Sequence, residues 1–315
     1  MKKVALLLAM ALPLGLQAQQ SGAGDSAPEG AVPTSVTFPV EKVQQPTTAD
    51  LNCAGFIGKQ VASRDKFVTG GMDSAFTTQF ADGEAIFLNG KGYELGQQYE
   101  IVRELKDPNR YELFPGQWKS LKASGQAYEE LARIQVVDTR HKMAVARLEY
   151  SCNTVLPGDF VVPYVQKTAI EAHPPLRFDR FVPASGTSGR IILAKDFDSE
   201  LGNGGKVYLN IGANQGLKTG DYVRATRTFE AIAHDSVESL SFKADTLEPT
   251  QARQPSLDAD FLSRTNGPNV HVADMPRKSV GEIVILSVTP TTATGMIVFS
   301  LEPVHVGDRV EVDQQ

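Results

Sequence analysis

The chain has 315 residues and a net charge of −6, with 22% charged residues, two cysteines and one tryptophan. Its length fits two domains of about 100–130 residues plus a tail. Removal of Lys2 and Lys3 with an N-terminal leader lowers the charge to −8, and no basic stripe is present, so the composition argues against a nucleic-acid partner.

Residues 1–18 have the pattern of an export signal. Lys2 and Lys3 precede an apolar run over 4–16 that is too short to anchor the chain in a bilayer, and Ala18 ends a small-residue cleavage site. We therefore expect an exported mature chain without a transmembrane span, in the periplasm or associated with the outer membrane. Residues 19–48 are rich in Gln, Ser, Gly, Ala, Pro and Thr and predict a disordered tether.

Short strands are predicted in the following region, which we assign to module one over residues 49–166. Its ordered pattern begins at Leu51, with Cys53–Ile57 and then Phe67-Val68, and Gly70-Gly71 indicates a turn. Alternating or β-branched runs then predict strands at 85–89, 98–103, 132–138, 143–150 and 160–164.

An insert over residues 108–130 interrupts module one and is predicted to hold a short helical turn. Trp118 either caps one end of a barrel or is an exposed recognition aromatic, and we favour packing. Tyr111 and Tyr128 are the other aromatics in the insert that could contact a partner.

A Pro-rich linker over residues 167–189 follows and is predicted to be stiff and extended, so that it separates the modules. Module two is assigned to residues 190–315, with strands at 190–194, 206–211, 222–227, 280–288, 292–300 and 309–312. A polar, aperiodic insert over 229–278 interrupts it.

The second module repeats the first. Residues 131–163 align without a gap to 280–312 at an offset of 149, and seven of the aligned positions are identical. Upstream, both copies have an asparagine followed by a Gly-x-x-x-Gly element: Asn89 before Gly92 in the first, and Asn210 before Gly216 in the second. The loop between the asparagine and the first glycine is three residues shorter in the first copy. The sequence therefore predicts an all-β chain of two small SH3-like or OB-like barrel modules.

Glycine turns recur at matching places in the two modules. Glycine tolerates positive φ, and an aspartate at a strand start can accept backbone hydrogen bonds, so we interpret these residues as structural turns. The absence of a following Lys-Ser/Thr pair and of a helix argues against a phosphate loop. The turn residues are Gly92, Gly96, Gly158, Asp159, Gly216, Gly220, Asp221, Gly307 and Asp308.

Cys53 and Cys152 are the only cysteines, and in an exported protein they predict one disulfide. The alternative is a pair of buried free thiols. Cys152 aligns with Leu301, and we expect that position to face a core.

The sequence presents no catalytic constellation, and we predict no cofactor and no metal site. The five histidines show no i, i+2 or i, i+4 pair, so a zinc site would need ligands from distant loops. His234 and His271 lie in the acidic 229–278 insert, where a weak metal site is an alternative to a solvated loop.

The run Val207–Asp221, together with Val280–Ile283 and Val306–Val310, resembles the C-terminal domain of flagellar assembly protein T. The mature chain also resembles uncharacterised exported two-module proteins of acidobacteria, which share the opening Asp50–Ile57. The resemblance implies barrel modules of the kind found in envelope rings and adaptors.

These observations give one leading functional hypothesis and two alternatives. The leading one is an exported, non-enzymatic structural, assembly or adaptor protein with protein partners in the cell envelope. The first alternative is a protein that binds peptidoglycan or another glycan through Trp118, Tyr111 and Tyr128. The second is a hydrolase or metal-dependent enzyme with its site in the 229–278 insert.

Overall fold

The computed structural model describes residues 43–59, 62–73, 76–171, 178, 180–181, 187–227 and 277–312. The predicted leader, the tether up to residue 42, the middle of the linker and the second insert over 228–276 lie outside the described residues. The described residues all belong to one compact unit.

Module one forms a closed antiparallel barrel in which each strand pairs with two neighbours. Its strands are β2 (Phe67–Gly71), β3 (Ala85–Asn89), β4 (Gln98–Glu104), β5 (Gln126–Asp138), β6 (Ala144–Ser151) and β7 (Phe160–Pro163). A further short strand, β1 (Phe56–Gly58), pairs with the start of β5 outside the closed ring. The described part of module one also has the helices α1 (Thr48–Asn52) and α2 (Gln117–Ser124).

Module two forms a second closed antiparallel barrel. Its strands are β8 (Ser188–Ala194), β10 (Lys206–Leu209), β11 (Tyr222–Arg227), β12 (Lys278–Val288), β13 (Ala293–Ser300) and β15 (Arg309–Val312). The short strands β9 (Glu200–Leu201) and β14 (Val304–His305) pair with each other, and a single 3₁₀ turn spans Ala213–Gln215.

The two barrels have the same topology. The ring order is β2-β3-β6-β5-β4-β7 in barrel one and β8-β10-β13-β12-β11-β15 in barrel two, and these orders match strand for strand along the chain. The bounds of β6 and β13, and of β7 and β15, differ by the offset of 149 found in the sequence. The predicted all-β architecture of two repeated barrel modules is therefore confirmed.

Each barrel is filled by its own side chains. The core of barrel one includes Val68, Ile86, Leu88, Ile101, Ile134 and Leu148, and that of barrel two includes Ile191, Val207, Leu209, Val223, Ile283 and Ile297. Inward-facing positions alternate with outward-facing ones along each strand, as a small closed barrel requires. Closure leaves no unpaired ring edge.

The two barrels pack against each other, so the prediction that a stiff linker separates them is wrong. Ile57 and Ala127 of module one form a buried cluster with Ile192, Leu193 and Tyr208 of barrel two. Residues from the module-one insert pack onto the same cluster. The physical reason is that barrel two is apolar on part of its outer face and must cover that surface.

The outer faces of β6 and β13 show why barrel two is the covered one. Met296 and Val298 on β13 are fully buried, whereas their equivalents on β6, Arg147 and Glu149, are exposed. The burial of β13 is nearly continuous, while β6 alternates between core and solvent. At these matched positions the second copy of the repeat has apolar residues where the first has charged ones, which is why this outer face of barrel two is covered.

Several local predictions need correction. Gly70 and Gly71 are the last two residues of β2 and still pair with β3, so the pair belongs to the end of the strand and the chain bends only from Met72. Leu301 is 45% exposed, because the chain has left β13 and entered a turn, so it does not face a core. The ordered chain also begins before residue 49: Val43 is buried, and Thr47 caps α1.

Candidate functional site

The glycine turns adopt the conformation that only glycine takes readily. Positive φ values occur at Gly92 (78°), Gly96 (80°), Gly158 (95°), Gly216 (90°), Gly220 (93°) and Gly307 (111°). At five of these positions a Cβ would meet nothing within 4 Å. Gly307 is the exception, because a Cβ there would stand 3.1 Å from Phe114 of module one.

The aspartate of the last Gly-Asp turn in each barrel holds an arginine from a neighbouring strand, half-buried in barrel one and buried in barrel two. Arg103 Nε and Nη2 donate to the two carboxylate oxygens of Asp159, both at 2.8 Å. Arg227 makes the same bidentate contact with Asp308 at 2.9 and 2.8 Å. The hydrogen bonds that Arg103 donates to Asp159 raise the pKa of Arg103. These aspartates therefore tie the last strand of each barrel to its third, β7 to β4 and β15 to β11.

The remaining hydrogen bonds of this element are repeated as well. The arginine Nη2 also donates to Thr154 O at 3.0 Å in barrel one and to Pro303 O at 2.8 Å in barrel two. Sequence reasoning named the aspartates and missed the arginines. The signal was present, since Arg103 lies seven residues after Gly96 and Arg227 seven after Gly220. Asp221 instead accepts from Lys218 N at 2.7 Å and closes its own turn.

The predicted disulfide between Cys53 and Cys152 is present, and it anchors residues 43–58, here called the strap, to barrel one. The strap lies across both barrels. Val43, Leu51 and Ala54 pack onto the outer face of barrel two. Its strand β1 extends the sheet of barrel one.

Polar contacts from barrel two hold the strap at several points. Lys206 Nζ pairs with Asp50 at 2.8 Å, and Lys195 Nζ donates to Cys53 O at 2.8 Å. Thr294 Oγ1 donates to Gly55 O at 2.8 Å. Thr292 Oγ1 donates similarly to Ile57 O at 2.6 Å. The threonine hydroxyls thereby provide hydrogen bonds to buried backbone acceptors of the strap.

A buried charged cluster lies beneath the strap on barrel one. Lys167 Nζ pairs with Glu130, lies 3.9 Å from a carboxylate oxygen of Glu100, and donates to Leu51 O at 3.0 Å. Gly55 N donates to the other Glu130 oxygen at 3.0 Å. Burial, and then the charge of Glu130, raises the pKa of Glu100 to about 8.

The module-one insert docks on barrel two. Phe114 packs onto the barrel-two core, with the Arg190 guanidinium 5.0 Å from its ring centroid. The fully buried Gln117 donates from Nε2 to Ile192 O at 3.0 Å and accepts from Leu113 N at 2.7 Å. The insert therefore acts as an inter-barrel clamp.

The three aromatics predicted as interaction residues do not lie together. Tyr128 belongs to β5, which begins within the predicted insert, and is fully buried in a stack with Phe56, so its assignment as an interaction residue is wrong. Trp118 is 50% exposed and Tyr111 67% exposed. Phe114, which sequence reasoning did not single out, provides the packing expected of Trp118.

Among the described residues, no group of three or more His, Cys, Asp or Glu side chains is arranged to hold a metal ion. His234 and His271 lie outside the described residues. Within the described part of the chain, no helix is long and apolar enough to cross a membrane. No protein-family model matches the chain, and no curated protein matches it significantly.

Proposed function

We propose that this chain is an exported, non-enzymatic adaptor or assembly protein of the cell envelope that acts through protein–protein contacts. The observation that carries the proposal is the docking of one barrel module on another through a loop, in which Phe114 packs on the core of barrel two and Gln117 hydrogen-bonds to Ile192. Within this molecule, a loop of one barrel module thus already binds the surface of a second module of the same repeat.

Two further observations support the proposal. The Cys53–Cys152 disulfide suits an oxidising compartment such as the periplasm. The resemblance of the second module to the C-terminal domain of flagellar assembly protein T points to envelope assemblies.

Crosslinking in intact cells, followed by purification of the tagged chain from the envelope, tests this function. We expect one or a few proteins to be recovered in fixed proportion to the chain. A tagged exported protein of similar size, processed in parallel, identifies non-specific bands. Recovery of no protein above that control, with the chain retained on purified sacculi, contradicts the proposal.

Glycan binding is the second candidate, and the exposure of Trp118 and Tyr111 on one insert favours it. Exposed aromatic rings offer faces to sugar rings. Cosedimentation with purified sacculi should then fall at least tenfold in the Trp118→Ala, Tyr111→Ala double variant. Leu95→Ala, at a residue 69% exposed outside the insert, is the matched control. Equal cosedimentation of all three proteins contradicts this candidate.

A further inference from the structure

We propose that barrel one carries a second docking site, equivalent to the place where barrel two receives the insert. Its occupant is a segment of a partner protein that presents an aromatic side chain followed three residues later by a primary amide. The inference rests on the proposed adaptor function and specifies the chemistry of the partner.

The template is the docked insert on barrel two. Ile192, whose carbonyl accepts from Gln117, lies where β8 shifts register against β10: Ile191 pairs with Leu209, and Leu193 pairs with Tyr208. Ile192 is thus the extra residue of a bulge, which re-aims the backbone. Phe114 lies beside this bulge, against Gly307 and Arg190.

Barrel one has the same backbone elements in the same places. Strand β2 shifts register against β3, since Val68 pairs with Leu88 and Gly70 with Phe87, which leaves Thr69 as the extra residue. The neighbouring turn is also equivalent. Gly158 N donates to Val68 O at 2.8 Å, as Gly307 N donates to Ile191 O at 2.9 Å. Thr69, Gly158 and Phe67 therefore correspond to Ile192, Gly307 and Arg190.

This face of barrel one is open where that of barrel two is covered. Thr69 is exposed, and a Cβ on Gly158 would meet nothing within 4 Å. Among the described residues, none takes the place beside Gly158 that Phe114 takes beside Gly307.

The open face also carries partly exposed aromatic residues. Phe67 pairs directly with Phe160 on β7, and both point outward because their neighbours Val68 and Val161 are in the core. Phe87 lies on the outer face of the next strand, β3, and is partly exposed. Three phenylalanines on adjacent strands favour an apolar or aromatic partner side chain, by burial and edge-to-face contact.

A segment of another protein is the occupant that the structure favours. The insert of a second copy is already engaged, because Gln117 is fully buried and Phe114 is packed against its own barrel two. The docked insert shows that a bulge carbonyl paired with a side-chain amide, next to an aromatic ring at a glycine turn, holds two modules of this type together.

The test uses a fluorescein-labelled peptide of residues 108–125 as the probe and the full mature chain as the receptor, followed by fluorescence anisotropy. We expect saturable binding with a dissociation constant below about 1 mM. The peptide variants F114A and Q117A should each bind at least tenfold more weakly. Thr69→Glu and Phe67→Ala in the protein should weaken binding by a similar factor, while Val137→Ala, at an exposed residue of β5, should leave it unchanged. Thr69 is exposed, so its variant remains informative if Phe67→Ala does not fold.

Absence of saturable binding up to about 1 mM overturns the inference. Binding that is lost with Arg190→Ala but kept with Thr69→Glu also overturns it, because the peptide would then be exchanging with the insert on barrel two. Concentration-dependent dimerisation that Thr69→Glu abolishes would make a second copy the occupant and likewise overturn it. If envelope crosslinking recovers a protein partner but the peptide does not bind, the adaptor function stands and this docking site is overturned. If the peptide binds but crosslinking recovers no protein partner, the docking site stands and the adaptor function is overturned.

Discussion

Phe114 of module one lies beside Gly307 of barrel two, so close that a Cβ on Gly307 would stand 3.1 Å from Phe114 carbon atoms. The equivalent Gly158 of barrel one faces open space. The same turn thus has a conformational role in both barrels and a contact role only in barrel two.

Replacing Gly307 with valine should lower the free energy of unfolding more than Gly158→Val does. Both changes force a β-branched residue into positive φ, at a cost of about 1–3 kcal/mol. At Gly307 the new side chain also displaces Phe114. Urea titration of both variants gives the comparison, and in a Phe114→Ala background the excess should disappear. Equal losses in the original background contradict this contact role.

The ion pair of barrel two should contribute more to stability than that of barrel one. The side chains of Arg227 and Asp308 are 5% and 3% exposed, whereas Arg103 is 31% exposed. Arg227→Met leaves a buried carboxylate without its main partner, which costs about 3–5 kcal/mol. Water can reach Asp159 more easily after Arg103→Met, so we expect a smaller loss. Chemical denaturation measures both, and a larger effect at Arg103 would contradict the account.

Removal of the disulfide should loosen the strap before the barrels. Cys53 and Cys152 are 99 residues apart, a loop whose closure is valued at about 4–5 kcal/mol in the chain-entropy model. In a Cys53→Ser, Cys152→Ser variant, amides of the strap should exchange faster with solvent, while those of β12 retain most of their protection. Hydrogen exchange with mass spectrometry resolves the two regions. Unchanged strap exchange would show that the packing of Leu51 and Ala54 suffices.

Stability should fall as pH rises between about 4.5 and about 8. The pKa of Glu100 is raised from 4.5 to about 8 in the folded chain, by burial first and the charge of Glu130 second. In this window the folded state therefore holds a proton that the unfolded chain releases, and the free energy of unfolding decreases with pH. Lys167 and Arg133 oppose the shift and reduce its size.

Glu100→Gln removes that titration and should flatten the pH dependence. Denaturant titrations at pH 5.5, 7 and 8.5 compare the variant with the original chain. The difference should grow in favour of the variant toward pH 8.5. Parallel curves would mean that Glu100 does not hold a proton in the folded state.

Much of the fold could be predicted from the sequence because the repeat and the strand pattern are local signals. The strand bounds at 85–89 and 222–227 match β3 and β11, and the glycine turns coincide with positive φ. The packing between modules was missed, although the apolar run of β13 contrasts with the alternating pattern of β6 and marks a strand covered on both faces. Which segment covers it depends on contacts distant in sequence, such as Thr292 with Ile57.

The candidate site was predictable only in part for a similar reason. The disulfide was predictable because Cys53 and Cys152 are the only two cysteines of the sequence. Trp118 and Tyr128 were proposed as interaction residues because they are aromatic, but the residue type alone does not show whether such a side chain is exposed or buried in the fold. Phe114 and Gln117 carry no distinctive motif, and their role arises from the barrel opposite them.

Calorimetry of the mature chain tests most directly whether the two barrels form one clamped unit. We expect a single unfolding transition whose calorimetric and van't Hoff enthalpies agree, because strap, insert and disulfide couple the modules. In a Phe114→Ala, Gln117→Ala variant the transition should broaden or split, as barrel two loses its clamp. Two separate transitions in the original chain, unaffected by these substitutions, would contradict the account.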